Sequence, residues 1–386
     1  MTEERLTTPV ELLWDLVFVF AITQVTTLLA LDLTWAGFGR AMLVLALVWW
    51  AWSAFVWAAN AQSPDSPTLR ATLLVALVLI FIVGLAIPHA FGSQSTLFAA
   101  TYAGVRLMHL ALYADASRRG QANWSAIAGF AVTVAVGMAM LIVGSFLGGW
   151  QRIVIWAAAA AIDYAGPAVL TRERLRGLQT VAVAHFAERY GLFVIICLGV
   201  SIIAIGVGAT GHPLSGATIA TVAAGLVITI ALWWTYFDRF AATAAQRLRD
   251  HEDPVLAAAD AYSYLHLGII AGIIVFAVGV RVAIDDVTAT LGDGARLALC
   301  GGLAAYLAAH AAFRLRLTGS IDRRKLAAGA TLLVLFAAGG GLPAWAVTAL
   351  AAGVVALLCA AETLEVPATA REAPRALVAI RRRSAP

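Results

Sequence analysis

Apolar residues run along the chain in stretches about as long as a lipid bilayer is thick, and short segments rich in Arg, Asp, Gly or Pro separate them. A helix that crosses the hydrocarbon core of a bilayer needs about 20 predominantly apolar residues. The pattern therefore predicts an all-α, polytopic transmembrane helix bundle with about twelve spans. The predicted spans are 10–31, 39–60, 69–90, 96–114, 124–146, 150–170, 186–208, 215–237, 262–284, 295–313, 323–339 and 342–361.

The composition indicates that most of the molecular surface faces lipid rather than water. Of the 386 residues, 62% are apolar and 12% are charged, and the mean hydropathy is +0.87. Soluble domains carry about 25% charged residues, so this chain lacks the polar side chains that would cover a water-soluble core. An ordinary soluble globular protein is thereby excluded.

The positive charges predict the orientation of the spans. Two of the 26 Lys and Arg residues, Arg106 and Arg189, are counted with the predicted spans, and the other 24 are counted with the loops and the adjoining span ends. Twenty of the others fall at one set of loops. The opposite set carries four, namely Arg40, Arg152, Arg281 and Arg296. Because loops rich in Lys and Arg stay in the cytoplasm, we expect a multi-pass inner (plasma) membrane protein with both termini in the cytoplasm.

We expect residues 1–386 to form a single integral membrane domain, of which 362–386 is a basic cytoplasmic tail. Basic segments beside a membrane are attracted to anionic lipids, so the predicted partner is the lipid bilayer and not nucleic acid. The longest cytoplasmic segment, 239–261, is interpreted as a polar connection too short for a domain. The first nine residues lack a basic region typical of signal peptides, so the first span is expected to be retained.

Several spans resemble each other in pairs. The runs at 16–20 and 192–196 are both rich in Phe, Val and Ile, and Trp pairs occur at 49–50 and 233–234. The fourth and tenth spans each carry a His and a Tyr. These similarities predict two six-helix repeats in parallel orientation, although apolar helices also resemble each other by composition alone. The predicted halves are 1–180 and 181–361.

Charged and polar residues within the spans are the candidate site residues, because a charge at membrane depth costs at least about 2.5–3.5 kcal/mol on insertion scales. They form four groups, each with members three or four residues apart and therefore on one helical face. Groups at span ends are also consistent with simple interfacial positions, whereas Arg106 and Glu188 are predicted to face inward in ion pairs. The groups are Glu11 with Asp15, His185 with Glu188 and Arg189, Tyr262 with His266, and Arg106 with His109.

The sequence carries no signature of a metal centre, a cofactor site or a catalytic nucleophile. The three cysteines stand singly in apolar stretches, without a C-x-x-C pair. The single pair His185-x-x-Glu188 has no second copy, which a di-metal site in a helix bundle requires. No Walker A, Rossmann or Gly-x-Ser-x-Gly motif occurs. We therefore predict no metal and no cofactor, and the sequence favours a protein that is not an enzyme.

At these residues the chain resembles the bacterial low temperature requirement A (LtrA) family. The segments that carry the resemblance are VELLWDLVFVFAITQ at 10–24, HFAERYGLFVII at 185–196, WWTYFD at 233–238 and YSYLHLGIIAG at 262–272. Two positions depart from the family pattern, which commonly has Glu where Val200 stands and Pro where Gly268 stands. The resemblance implies a multispan membrane protein linked to growth in the cold, without an assigned substrate or catalytic residue.

The favoured hypothesis is a transporter or permeation pathway for a small solute or ion. Its site would lie between the halves, where carboxylates and histidines take up protons or cations and an arginine holds an anionic group. One alternative is a membrane-embedded enzyme that acts on a lipid or apolar substrate, with Glu188 or His185 as general base. Another is a structural or lipid-sensing membrane protein for growth in the cold.

Overall fold

The computed structural model describes residues 7–60, 62, 66–120, 124–169 and 182–364, and these residues form helices and no strand. Twelve long helices lie in this part of the chain, one at each predicted span. They are α1 Pro9–Leu31, α2 Trp35–Asn60, α3 Pro67–Ala86, α4 Ser95–Arg118, α5 Trp124–Ser145, α6 Gly149–Val169, α7 Val183–Ala209, α8 Gly216–Arg249, α9 Pro254–Asp285, α10 Asp293–Thr318, α11 Arg323–Ala338 and α12 Ala344–Leu364.

Nine of the described helices are long and apolar enough to cross a membrane, namely α1 to α4, α7 to α10 and α12. The shortest helix of the twelve is α11, with 16 residues. The all-helical, membrane-type architecture is therefore confirmed, and the count of twelve spans stays a prediction. The predicted tail lies outside the described residues except for 362–364, which end α12.

The segment 239–261, predicted to be a polar connection, is largely helical. The eighth helix continues to Arg249, and Asp253 begins α9 by accepting a hydrogen bond from the N–H of Leu256. Both helices contain a π-helical segment here, Trp234–Ala241 in α8 and Ala259–Leu265 in α9. Such segments widen the helical turn and often occur at functional sites. The apolar pattern does not reveal them, because they change the backbone hydrogen bonds and not the residue types.

The helices of each half pack in the same order along the chain. In the first half α1 packs against α2 and α3, α3 against α4, α4 against α5, and α6 against both α5 and α2. In the second half α7 packs against α8 and α9, α9 against α10, α10 against α11, and α12 against both α11 and α8. The halves meet where α1 and α2 contact α7 and α9.

The pair α9 and α10 packs through glycines. A Cβ atom on Gly279 would lie 2.3 Å from the backbone nitrogen of Leu299, and one on Gly302 would lie 2.5 Å from that of Phe276. Real Cβ atoms do not approach other atoms this closely, so the two backbones meet only because these positions lack side chains. Small residues that bring helix backbones together are typical of membrane bundles.

Candidate functional site

An ionic cluster lies where α1 of the first half meets α7 of the second. Arg189 donates to Asp15 through two groups, Nε to Oδ2 at 3.1 Å and Nη2 to Oδ1 at 2.6 Å. Asp15 also accepts a hydrogen bond of 2.8 Å from the indole N–H of Trp52. All three side chains are buried. A planar guanidinium that binds a carboxylate with two N–H groups fixes both its distance and its orientation.

The same arginine reaches the second carboxylate of α1. Its Nη1 lies 3.0 Å from Oε1 of Glu11, and Nε2 of His185 lies 3.3 Å from that oxygen. Glu11 also accepts hydrogen bonds of 2.9 Å from the backbone N–H and the hydroxyl of Thr8, the residue that caps α1. The first turn of α1 thus supplies both a helix cap and a ligand for the cations of α7.

The spacing of these four residues explains why the cluster forms. Glu11 and Asp15 are four residues apart on α1, as are His185 and Arg189 on α7, so each pair occupies one helical face. Glu11 meets His185 at one level, and Asp15 meets Arg189 one turn farther along both helices. The sequence therefore predicted the face of α1 and two of the three residues predicted for the face of α7, and the structure shows that these two faces pair with each other.

Glu188 does not belong to this cluster. Its side chain is exposed and accepts a hydrogen bond of 2.9 Å from the hydroxyl of Thr7. Neighbouring residues on a helix point about 100° apart, and the face of α7 that meets α1 is occupied by Arg189. The prediction that Glu188 faces inward is wrong for this reason.

A second group of polar contacts centres on Ser263, within the π-helical segment of α9. Its carbonyl oxygen accepts from the indole N–H of Trp49 at 2.7 Å, and its hydroxyl accepts from that of Trp57 at 2.7 Å. The hydroxyl of Tyr190 lies 3.0 Å from Ser263 Oγ and 2.7 Å from Ser53 Oγ. Ser263 thus connects α9 to α2 and to α7. Its contact on α7 is Tyr190, the residue next to Arg189.

Arg106 forms the buried ion pair that its position in a span predicted. Its Nη2 donates to Oδ1 of Asp163 in α6 at 2.6 Å, and both side chains are almost fully buried. The pair is only partly satisfied within the protein. Arg106 Nε and Nη1, Asp163 Oδ2 and His109 Nδ1 have no hydrogen-bond partner among the described residues. Buried polar atoms normally find partners, so these four atoms mark a place where a further polar group fits.

A cavity of about 80 Å³ lies beside this ion pair. Helices α2, α4, α5 and α6 form one side of it, and α9 of the other half closes it with Ser263 and Tyr264. Most of the wall is aromatic or aliphatic, and Arg106, His109 and Asp163 supply its guanidinium, imidazole and carboxylate groups. Apolar walls with a few converging polar groups are typical of small-molecule sites.

A proline in α6 removes one backbone hydrogen bond of the helix beside the cavity. Pro167 lies inside α6 and lines the cavity together with Asp163. Proline has no N–H, so the carbonyl oxygen of Asp163, four residues earlier, lacks its usual helical donor. Both the side chain and the backbone of Asp163 therefore retain acceptor capacity here.

The structure places Tyr262 and His266 in a separate aromatic core. The imidazole of His266 is fully buried, with Nε2 2.8 Å from the hydroxyl of Tyr236 and Nδ1 2.9 Å from the carbonyl oxygen of Ala261. Tyr262 stacks on it with a ring distance of 4.8 Å. Both ring nitrogens of His266 have partners, and neither residue lines the cavity.

Three residues of this region were not predicted from the sequence. Asp163 is the single carboxylate in the predicted span 150–170. A charged residue in the middle of an apolar span could have identified it as a candidate site residue. Trp52 and Ser263 carried no comparable signal, because Trp and Ser occur widely in apolar spans. No group of three or more His, Cys, Asp or Glu side chains suited to a metal ion occurs within the part of the chain that the structure describes.

Comparison with known proteins decides the family. The family model described as bacterial low temperature requirement A protein (LtrA) matches residues 7–360, nearly the whole chain. The chain belongs to the LtrA family. It is also 30% identical over 275 residues to a protein of Rhizobium meliloti (strain 1021) named Uncharacterized protein RA0937, a match that covers 70% of this chain and 67% of that one. No solved structure matches the chain.

The two positions at which this LtrA chain is expected from its sequence to depart from the family pattern are packed. Val200 is buried in α7, and the next residue, Ser201, hydrogen-bonds to the carbonyl oxygen of Leu198 and lies 3.2 Å from Thr229 Oγ1. A Cβ on Gly268 would lie 2.8 Å from that of Ala309 in α10. Neither position contacts the ionic cluster or lines the cavity.

Proposed function

We propose that this LtrA protein is a transporter for a small polar solute or ion in the bacterial inner membrane, with both termini in the cytoplasm. The observation that carries the proposal is the cavity beside Arg106 and Asp163, where unpartnered donors and acceptors converge at membrane depth. Helices of both halves form its wall. Transporters typically bind their substrate near the midplane, between two structural repeats.

The chemistry of the wall limits what the cavity accepts. Arg106 offers two N–H groups without partners, and Asp163 offers one carboxylate oxygen. A solute that carries both acceptor and donor groups, or a hydrated ion, can form hydrogen bonds with both side chains. A cavity of about 80 Å³ suits a molecule of a few heavy atoms. Neither His185 nor Glu188 lines this cavity, so the alternative of a lipid-modifying enzyme with either residue as base has no support from its geometry.

The ionic cluster is proposed to be the contact that changes during transport. It joins α1 of the first half to α7 of the second through the hydrogen bonds of Arg189 to Asp15 and through the ion pair of Arg189 with Glu11. Ion pairs release and re-form when protons or ions bind to them, whereas close apolar packing changes less readily. Glu11 and His185, paired with each other, are the groups proposed to exchange a proton or cation.

A chain of contacts connects the cavity with the cluster. Ser53 and Ser263 line the cavity and both contact the hydroxyl of Tyr190, the residue next to Arg189. A second connection runs through two tryptophans of α2. The indole N–H of Trp49 donates to Ser263, the ring of Trp49 lies 5.1 Å from the ring of Trp52, and Trp52 donates to Asp15. A solute that shifts α9 against α2 would thus act on both contacts of the Asp15 carboxylate, the one with Arg189 and the one with Trp52.

A parallel six-helix repeat is part of the same proposal, and two features of the packing support it. The packing order α1 to α6 recurs in α7 to α12. The tyrosine hydroxyls of α4 and α10 also make the same contact, Tyr102 to the carbonyl oxygen of Leu47 and Tyr306 to that of Leu232. Duplicated halves that enclose a site allow one half to move against the other.

Flux measurements in proteoliposomes test the proposed function. Vesicles that contain the full-length protein and the pH dye pyranine are given gradients of protons, K⁺ or Na⁺ and a panel of small radiolabelled amino acids and amines. We expect flux of at least one probe above that of protein-free vesicles. Arg106→Gln and Glu11→Gln should lower that flux about tenfold or more.

Two substitutions serve as matched controls. Arg118→Gln changes an exposed arginine of the same helix as Arg106, and Glu188→Gln changes an exposed carboxylate of α7. Both should transport like the unaltered protein. If Arg106→Gln and Glu11→Gln reduce only the amount of folded protein, and leave flux per folded molecule intact, the charged groups are structural and this assignment fails.

A further inference from the structure

A second and larger cavity lies between the ends of α8, α10 and α12 and the start of α11. Its volume is about 620 Å³. Five cationic side chains and two carboxylates line it, which gives a net charge of +3 before any contribution from His310. The five cations are Arg247, Arg314, Arg323, Arg324 and Lys325. A concave surface with one sign of charge raises the local concentration of oppositely charged ligands.

The two carboxylates, Asp322 and Glu362, form ion pairs with cations of the same wall. Asp322 accepts from Arg314 at 2.9 Å and from Lys325 Nζ at 3.1 Å, and its other oxygen caps α11 at the N–H of Lys325. Burial raises the pKa of the Asp322 carboxyl, but the Lys325 charge and these hydrogen bonds outweigh it and hold the pKa below its usual range. Asp322 therefore stays ionised. The ion pairs of the cavity wall involve Arg314 and Lys325, and among the described residues Arg247 and Arg323 have no ion-pair partner.

His310 supplies an independent sign of a ligand. Its side chain is fully buried, it lines the inner wall of the cavity, and neither ring nitrogen has a hydrogen-bond partner in the described residues. Aromatic rings surround it, with Phe240 at 5.4 Å. A buried imidazole without any partner is unfavourable, and a polar group bound in the cavity would remove that penalty.

Glu362 determines which anion fits. Its Oε1 binds Lys325 Nζ at 2.5 Å, and its Oε2 has no partner among the described residues. A carboxylate oxygen accepts hydrogen bonds and repels an anion that has no proton to donate. A phosphate that carries an O–H supplies such a proton, whereas sulfate at neutral pH does not.

We propose that this cavity binds a hydrogen phosphate group, held by Arg247 and Arg323, with His310 and Glu362 as further contacts. Guanidinium groups match phosphate oxygens in geometry and charge, and the N-terminus of α11 adds partial positive charge at the same wall. The group belongs either to inorganic phosphate or to the headgroup of a phosphomonoester lipid. The site is separate from the proposed transport cavity, and its occupancy does not depend on transport.

Equilibrium dialysis of the full-length protein against radiolabelled inorganic phosphate tests the proposal. We expect saturable binding to one site, and sulfate should compete about tenfold less well or worse. The double substitution Arg247→Gln/Arg323→Gln should weaken phosphate binding about tenfold or more. The control Arg118→Gln/Arg249→Gln removes the same charge from exposed arginines outside the cavity and should leave binding unchanged.

Two further arms separate the alternatives. Glu362→Gln replaces the accepting oxygen by a donor, so it should reduce the preference for phosphate over sulfate. Phosphatidic acid in phosphatidylcholine nanodiscs should displace phosphate if the natural source is a lipid headgroup, and should not if it is the free ion. The proposal is overturned if neither phosphate nor phosphatidic acid binds saturably, or if the control substitution weakens binding as much as the cavity substitution.

Discussion

Arg189 of α7 binds Asp15 of α1 through two N–H groups, Nε at 3.1 Å and Nη2 at 2.6 Å, and so joins the two halves of the bundle. Lysine carries the same charge but cannot bind one carboxylate with two fixed N–H groups. Arg189→Lys should therefore lower the free energy of unfolding by about 2 kcal/mol. Thermal unfolding in detergent, followed by tryptophan fluorescence, measures this. Arg249→Lys, at an exposed position, is the control and should change nothing.

The indole N–H of Trp52 completes the set of donors to Asp15. Trp52→Phe keeps an aromatic ring but removes that donor, and should destabilise the fold by about 1–3 kcal/mol. Trp35→Phe makes the same change at a site where the side chain is 79% exposed and should be neutral. Equal unfolding temperatures for the two variants would contradict the role assigned to Trp52.

The pair Arg106 and Asp163 predicts a non-additive result. Arg106→Met or Asp163→Leu alone leaves one buried charge unpaired, which costs about 3–5 kcal/mol. The double variant Arg106→Met/Asp163→Leu removes both charges and should be more stable than either single variant. It should nevertheless transport nothing, because the polar wall of the cavity is lost. Additive destabilisation in the double variant would show that the two side chains do not act as a pair.

The glycine contacts between α9 and α10 predict a steric effect. At Gly279 a Cβ would lie 2.3 Å from the backbone of Leu299, whereas at Gly206 in α7 nothing lies within 4 Å. Gly279→Ala should destabilise by about 1–3 kcal/mol through overpacking. Gly206→Ala should be neutral or stabilising by up to about 1 kcal/mol, because Ala favours a helix. Thermal unfolding, measured as for Arg189→Lys, compares the stability of the Gly279→Ala and Gly206→Ala variants.

Hydrophobic pattern alone predicted where the twelve long helices lie, since each overlaps a predicted span, but it did not predict that α8 and α9 continue through most of 239–261. Helical spacing also predicted which faces of α1 and α7 are charged. The direction of Glu188 and the partner of Arg106 were not predictable in this way, because both depend on which helices become neighbours. The role of Ser263 depends on the π-helical turn that contains it, and no residue type in that segment demands such a turn.

A transport cavity beside Arg106 and Asp163 has to be reachable from water. Ala54 lines the cavity, and Ala58, one turn farther along α2, is buried and does not. In a protein whose Cys197, Cys300 and Cys359 are replaced by Ala, the variants Ala54→Cys and Ala58→Cys compare a cavity position with a packed position on one helix.

The most direct test is the reaction of these two cysteines with a charged, membrane-impermeant methanethiosulfonate reagent, applied to right-side-out and to inside-out vesicles. A transport cavity opens in turn to each side, so Ala54→Cys should react from both sides and Ala58→Cys from neither. If Ala54→Cys reacts from one side only, or no faster than Ala58→Cys, the cavity is not part of a pathway across the membrane.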